Sequence, residues 1–312
     1  MIGDHNHISR LRFLKQSAAV SSAFLFPDII FSTQQANMVK RKIHSSSEMI
    51  PAIGLGSWIT FDVGNSEDKL KPMRNVLKTF ADAGGLVVDS SPMYGKSEKV
   101  IGQLASELGI TNKLWFATKV WTTGERDGKS QIENSKEYFK KFPMLLQVHN
   151  LQDVNTHLKT LRALKEAGKL KYIGITHYLD SAHNELASLI KTEKLDFIQI
   201  NLSVRSRAAE DHLIPLAADK GISVIINRPF ETGALFNTVN GVQLPDWAKD
   251  WNITTWATYF LKYIISNENV TCTIPATSQV SHLKENMTAC FEPLPDKAAR
   301  KQMAEYYTKN AR

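Results

Sequence analysis

EDKLKPMRNVLKTFADAGGLVVDSSPMYGKSE, residues 67–98, decides how the chain is built. Its first part, from Glu67 to Gly84, is amphipathic and long enough for a helix. It stops at Gly84-Gly85, where glycine supplies the left-handed turn that closes a helix. Leu86, Val87 and Val88 follow, a run too short for a helix and rich in β-branched residues, so it reads as a buried strand. That strand ends in Asp89, and a turn of small residues then leads to Tyr94, Gly95 and Glu98.

The unit recurs. Apolar runs appear as AIGLGSW (52–58), LVVDSS (86–91), LWFATKV (114–120) and MLLQVHN (144–150). They continue as KYIGITHY (171–178), DFIQINL (196–202), ISVIINRPF (222–230) and VTCTIPATS (270–278). Between them lie helix-length segments that close on glycine: SEKVIGQLASELG, DVNTHLKTLRALKEAG and AEDHLIPLAADKG. Eight strands alternating with helices predict an α/β fold, a (β/α)8 TIM barrel over residues 45–312. A doubly wound sheet is the alternative architecture. It wants a glycine-rich phosphate turn after the first strand, and Gly54-Leu55-Gly56 has Ile59 where the third glycine would fall.

Composition fits one large globular core: 312 residues, 43% hydrophobic and 22% charged. Two cysteines, Cys272 and Cys290, exclude a disulfide scaffold. The formal charge is +7. Residues 1–43 hold +4 of it, six basic residues against Asp4 and Asp28, so no basic stripe for nucleic acid is left in the rest. No stretch reaches the ~20 apolar residues of a membrane span.

Residues 1–44 read as a signal-like or flexible extension. A polar, basic start leads into SAAVSSAFLF, the layout of an export signal. SRLRFLK (9–15) is similar to a twin-arginine signal, degenerate because Leu11 stands at the second arginine. The expectation is an exported, periplasmic protein; a decayed signal would leave it cytoplasmic.

In barrels of this type the chemistry sits at the C-terminal ends of the strands. The second strand ends in Asp89, the third in Lys119 and the fourth in His149; Gln199 and Asn201 lie near the end of the sixth. Each alone has a structural explanation, as a helix cap, a rim ion pair or a satisfied histidine. Together they form a constellation. Lys119 placed against Tyr94 is expected to lower the pKa of the phenol. Asp89 would hold Lys119, and His149 would orient a substrate oxygen. Tyr94 could then protonate a carbonyl as its carbon receives hydride.

At this point the chain resembles the aldo-keto reductase family, from about Met49 to Arg300. The resemblance is carried by GLGSW, VVDSSPMYGKSE, FATKVW, LLQVHN, YIGITHY, FIQINLSVRSRAAE, NRPFETGALF and TIPATSQVSHLKEN. It implies a catalytic tetrad of Asp89, Tyr94, Lys119 and His149. It also implies a nicotinamide cofactor, NADPH with NADH possible, and a small-molecule carbonyl substrate. Gln199 matches the glutamine that contacts the nicotinamide amide, Asn286 the asparagine at the adenine, and Trp58 and Trp121 the aromatics of the substrate pocket.

The sequence departs from the family pattern on the cofactor side. Thr176 and His177 replace the usual Ser-Asn that holds the nicotinamide amide. Asn227 replaces the stacking aromatic, with Arg228 beside it as a contact for the diphosphate. After Pro275 come Ala276, Thr277 and Ser278, and His282 stands where an arginine often grips the 2′-phosphate. His177, Asp180 and His183 do not have the spacing of a metal site, so no metal is expected. No partner protein is predicted. A nicotinamide-binding regulatory or redox-sensing barrel is the alternative function. A glycosidase is disfavoured because a second carboxylate at an adjacent strand end is missing.

Overall fold

In the computed structural model residues 37–312 are described. The export-signal and twin-arginine readings fall on residues 1–36 and lie outside them. Ten strands are present in the described chain: β1 Lys40–Lys42, β2 Met49–Pro51, β3 Leu55–Gly56, β4 Val87–Asp89 and β5 Trp115–Val120, then β6 Leu145–His149, β7 Tyr172–Thr176, β8 Phe197–Asn201, β9 Ser223–Asn227 and β10 Cys272–Thr273. The helices are α1 Glu67–Asp82, α2 Ser97–Glu107, α3 Glu125–Phe139, α4 Val154–Glu166, α5 His183–Thr192 and α6 Ala208–Asp211, followed by α7 Leu213–Asp219, α8 Ala234–Thr238, α9 Trp256–Ile265, α10 Val280–Thr288 and α11 Lys297–Asn310.

β3 to β10 pair in sequence order, every neighbour parallel. Bridges from Ile53 to Thr273 and from Gly56 to Ala276 join the last strand to the first. The Gly54 N–H donates to Thr273 O at 2.8 Å and the Gly56 N–H to Pro275 O at 3.0 Å, which closes the barrel. All eight runs predicted as strands are barrel strands.

The joints obey the predicted chemistry. Gly84 has φ +80°, and the Gly85 N–H behind it donates to Phe80 O at 2.9 Å. A helix ended this way turns its chain straight into the next strand.

Period-two alternation divides the core. Val87, Trp115, Ala117, Leu145, Tyr172, Phe197, Ile225 and Cys272 point into the lumen and form one cluster. Their neighbours Val88, Phe116, Leu146, Ile173, Ile198 and Val224 face the helices. At the N-terminal end of the barrel Trp115, Tyr172 and Phe197 meet with ring centroids 5.5–5.9 Å apart.

β1 and β2 form an antiparallel hairpin under those rings. Ile43 and Ile50 join the lumen cluster, and the Tyr172 hydroxyl bonds Ser46 Oγ at 2.7 Å and Glu48 Oε2 at 2.5 Å. Residues 37–44, read from the sequence as part of the extension, therefore include a strand and two buried side chains, Val39 and Ile43. The charged triplet KRK shows none of the apolar alternation that reveals a strand.

Candidate active site

The same alternation builds the other end of the lumen. Counting inward positions along each strand brings Asp89 on β4, Lys119 on β5, Gln147 and His149 on β6, Thr176 on β7 and Gln199 on β8 to the C-terminal end of the lumen. Lys119 stands opposite Gln147, His149 opposite Thr176, and Thr176 opposite Gln199.

Lys119 Nζ donates to Asp89 Oδ2 at 2.6 Å and to Ser90 O at 2.7 Å. Both side chains of the pair are 2% exposed. The ammonium lies 5.2 Å from the centroid of the Tyr94 ring. That ring meets His149 edge-on at 5.7 Å.

The loop carrying Tyr94 is shaped by Gly95. Its φ is +59°, and a Cβ there would lie 2.4 Å from the Asp62 carboxylate. Asp62 needs that approach because it accepts the Lys96 N–H at 2.9 Å, just ahead of α2. Only glycine meets both demands.

Burial works against the charge of Lys119, but Asp89, Tyr94 and Glu98 outweigh it and hold the ammonium above its ordinary pKa. For Tyr94 the balance is reversed. Burial pushes the phenol up, Lys119 pulls it down, and the net direction is up. The expected lowering is thus present as one contribution and is exceeded by burial. Tyr94 keeps its proton at neutral pH, as a proton donor must. Burial, then the charge of Lys119 and of His177, depress His149 to about 2, so its ring is neutral.

A cavity of about 690 Å³ opens at this end. Asp89, Tyr94, Lys119 and His149 line it, and Trp58 and Met93 stand at its wall. From the predicted cofactor set it takes in Thr176, Gln199, Arg228, Thr277, His282 and Asn286. Three predicted residues are not in its lining. His177 turns away: its ring stacks on Tyr178 at 5.5 Å and its Nδ1 accepts the Leu179 N–H at 3.2 Å. Trp121 is 38% exposed in the loop after β5, with its backbone tied to the Gln131 amide at 2.8 Å on both sides. Ser278 is exposed beside Thr277.

The lining also includes residues the sequence did not single out for this site: Asn150, Tyr178, Phe236 and Glu285. Tyr178 left no periodic signal, because it lies in the loop past the end of β7; the Arg228 guanidinium lies 5.5 Å from its ring centroid. Among the described residues no cluster of three or more His, Cys, Asp or Glu could hold a metal.

The family model for the aldo/keto reductase family matches residues 52–304. The chain belongs to that family. It is 24% identical over 288 residues to the NADH-specific methylglyoxal reductase of Escherichia coli (strain K12), covering 80% of this chain and 87% of that protein. An aldo-keto reductase from Klebsiella pneumoniae in complex with NADPH superposes with a TM-score of 0.71 at 22% identity, over 86% of this chain and 96% of that one. The holo form of an aldo-keto reductase from Bacillus halodurans gives 0.70 at 19% identity, over 87% and 96%. The aldo/keto reductase fold is therefore common to all three chains.

Proposed function

We propose that this chain reduces the carbonyl of an aldehyde or ketone to an alcohol, with Tyr94 as the proton donor. The observation that carries the reading is the convergence of Asp89, Lys119, Tyr94 and His149, from three strands and a loop, on one cavity. Asp89 and Ser90 O hold the ammonium of Lys119 in a site almost closed to water. There its charge acts at low dielectric, where it matters most. It lowers the cost of taking the proton from Tyr94, and burial keeps that proton in place until it is needed. His149, neutral, offers a hydrogen bond to the substrate oxygen without competing for the proton.

The polar lining fits a nicotinamide dinucleotide. Asn227 Oδ1 is buried without a partner, an acceptor suited to an amide N–H. Thr176 and Gln199 add a hydroxyl and an amide on neighbouring strands. Arg228 supplies a cation for the diphosphate, and Thr277, His282 and Asn286 would hold the adenosine end. When bound, that cofactor supplies the hydride. His177 and Ser278 have no part in this arrangement, and Tyr178 takes a place beside Arg228. With His282 where an arginine would grip a 2′-phosphate, NADPH is used and NADH is accepted.

The substrate is a small carbonyl compound with an apolar or aromatic side, set against Trp58, Met93 and Phe230. The export reading of the N-terminal extension rests on sequence alone; fractionation of the expressing cell, with mass measurement of the N-terminus, tests that. The enzymatic reading is tested by mixing the purified chain with a panel of aldehydes and either NADPH or NADH and following nicotinamide absorbance. Turnover of several aldehydes is expected. A cofactor that binds without turnover on any of them overturns the reductase reading in favour of a regulatory barrel.

A further inference from the structure

We propose that Ser91 is a positioning residue that fixes the tautomer of His149, leaving the ring proton on Nε2, toward the substrate carbonyl. The proposal rests on the reductase reading above. Ser91 is fully buried, and its Oγ lies 2.9 Å from His149 Nδ1. The same oxygen accepts the Met93 N–H at 3.2 Å.

A hydroxyl has one proton and two lone pairs. If Nδ1–H donated to Oγ, the oxygen would accept twice, and its own proton would have no acceptor among its contacts. A buried donor left without an acceptor is costly. If Oγ donates to Nδ1 instead, every group is satisfied: Met93 gives to Oγ and Oγ gives to Nδ1. A neutral imidazole carries only one proton, so it then sits on Nε2. Nδ1 is turned onto Ser91, which leaves Nε2 as the nitrogen His149 presents to the cavity it lines.

Ser91 is tied to the other proton donor too. Its carbonyl accepts the Tyr94 N–H at 2.9 Å. One residue thus connects the backbone of Tyr94 and the ring of His149. The turn in SSPMYG sets both groups that would meet the substrate oxygen.

The test uses the full chain with ¹⁵N-labelled histidine and long-range nitrogen–proton correlation, which separates the two neutral tautomers. A His149→Asn sample identifies the resonances. The wild type is expected to show the Nε2–H form at neutral pH. Ser91→Ala should populate the Nδ1–H form and lower kcat/KM for aldehydes roughly 10-fold, the scale of losing an orienting partner behind a working histidine. The loss should lie in kcat, with NADPH affinity by fluorescence quenching unchanged. Ser91→Thr keeps the hydroxyl and should restore the Nε2–H signal. An Nδ1–H form in the wild type overturns the proposal, as does a Ser91→Ala protein with an unchanged tautomer. If the wild type turns over no aldehyde, only the reductase reading fails; the nitrogen shifts still decide what Ser91 does.

Discussion

The two ends of one barrel use the same inward positions for opposite purposes. At the N-terminal end Trp115, Leu145 and Tyr172 fill the lumen; four residues further on, the same strands present Lys119, His149 and Thr176. Below, the packing is aromatic and apolar, and the hairpin of β1 and β2 closes it from water. Above, the groups are polar and charged, nearly as buried, and face a cavity. The lower end answers to packing, where each side chain contributes area removed from water. The upper end answers, in the proposed function, to chemistry: charge is retained there at a cost in stability. Changes made above should therefore act on turnover, and changes made below on melting.

The largest separation is expected at Tyr94. Tyr94→Phe removes one oxygen and keeps the ring against Lys119 and His149. Turnover should fall by ~10²–10⁴-fold, the usual worth of a general acid, while the melting temperature and cofactor affinity stay near wild type. A variant that still reduces several aldehydes at the wild-type rate would break the comparison at its upper end.

Lys119 tests the boundary between the ends, because it is buried and belongs to the proposed catalytic group. Lys119→Met leaves Asp89 without its ion-pair partner in a site 2% exposed. The cost should be about 3–5 kcal/mol of stability, together with the loss of turnover. Adding Asp89→Asn removes the stranded charge and should recover much of the stability with none of the activity. Thermal melts and turnover on the two variants separate these effects. A double variant as unstable as the single would show that the ion pair is not what Lys119 contributes.

The boundary was also the limit of what the sequence disclosed. The eight barrel strands were legible because each is a short apolar run bounded by polar residues, and four of them follow a helix that closes on glycine, at Gly84, Gly109, Gly168 and Gly221. Asp89, Lys119 and His149 were legible because strand ends are where such barrels place polar groups. His177 shows the limit of adjacency. It follows Thr176 directly, but β7 ends at Thr176; in the loop beyond, the His177 ring stacks on Tyr178 and its Nδ1 accepts the Leu179 N–H, outside the cavity lining. The rim from Arg228 to Thr232 left no periodic signal. Three of its residues, Arg228, Glu231 and Thr232, have φ of +49° to +59°, conformations that no pattern of apolar residues announces. β1 was hidden for a different reason: three charged residues make a strand there only because Pro51, Ile50 and Met49 pair with them.

That hairpin gives the opposite test, at the lower end. A chain beginning at residue 45 lacks β1, Val39 and Ile43; a chain beginning at residue 37 keeps them. Each of the two buried side chains contributes about 1.5–3 kcal/mol, so the shorter chain should be less stable by at least ~3 kcal/mol. That corresponds to a fall of roughly 5 °C in melting temperature for a domain of this size. Below its melting point it should keep the kcat of the longer chain. Loss of kcat in folded, truncated protein would show that the two ends are coupled.

The smallest effect expected lets a site residue speak through stability. His149 is depressed to about 2 by burial and by the charge of Lys119, whereas an unfolded histidine has a pKa near ~6.5. Below pH ~6.5 the unfolded chain takes up a proton that the folded chain refuses. The unfolded state then binds more protons, so stability falls as pH falls. Between pH 6.5 and 5 the loss should be about 2 kcal/mol. Asp89 and Glu98 act with the opposite sign. Burial raises both carboxyls, against the pull of Lys119 on Asp89 and of Thr118 and Ser135 on Glu98. They take up protons in the folded state first and favour it on acidification. The difference between wild type and His149→Gln cancels those carboxyls and isolates the ring. Denaturant melts of the two proteins at pH 7.5, 6.5, 5.5 and 5 should show the wild type losing ground to the variant only below pH 6.5. Parallel curves would mean that the ring titrates alike in both states. His149 would then be open to solvent, and the upper end of the lumen would not be the dry, charged site that separates it from the lower.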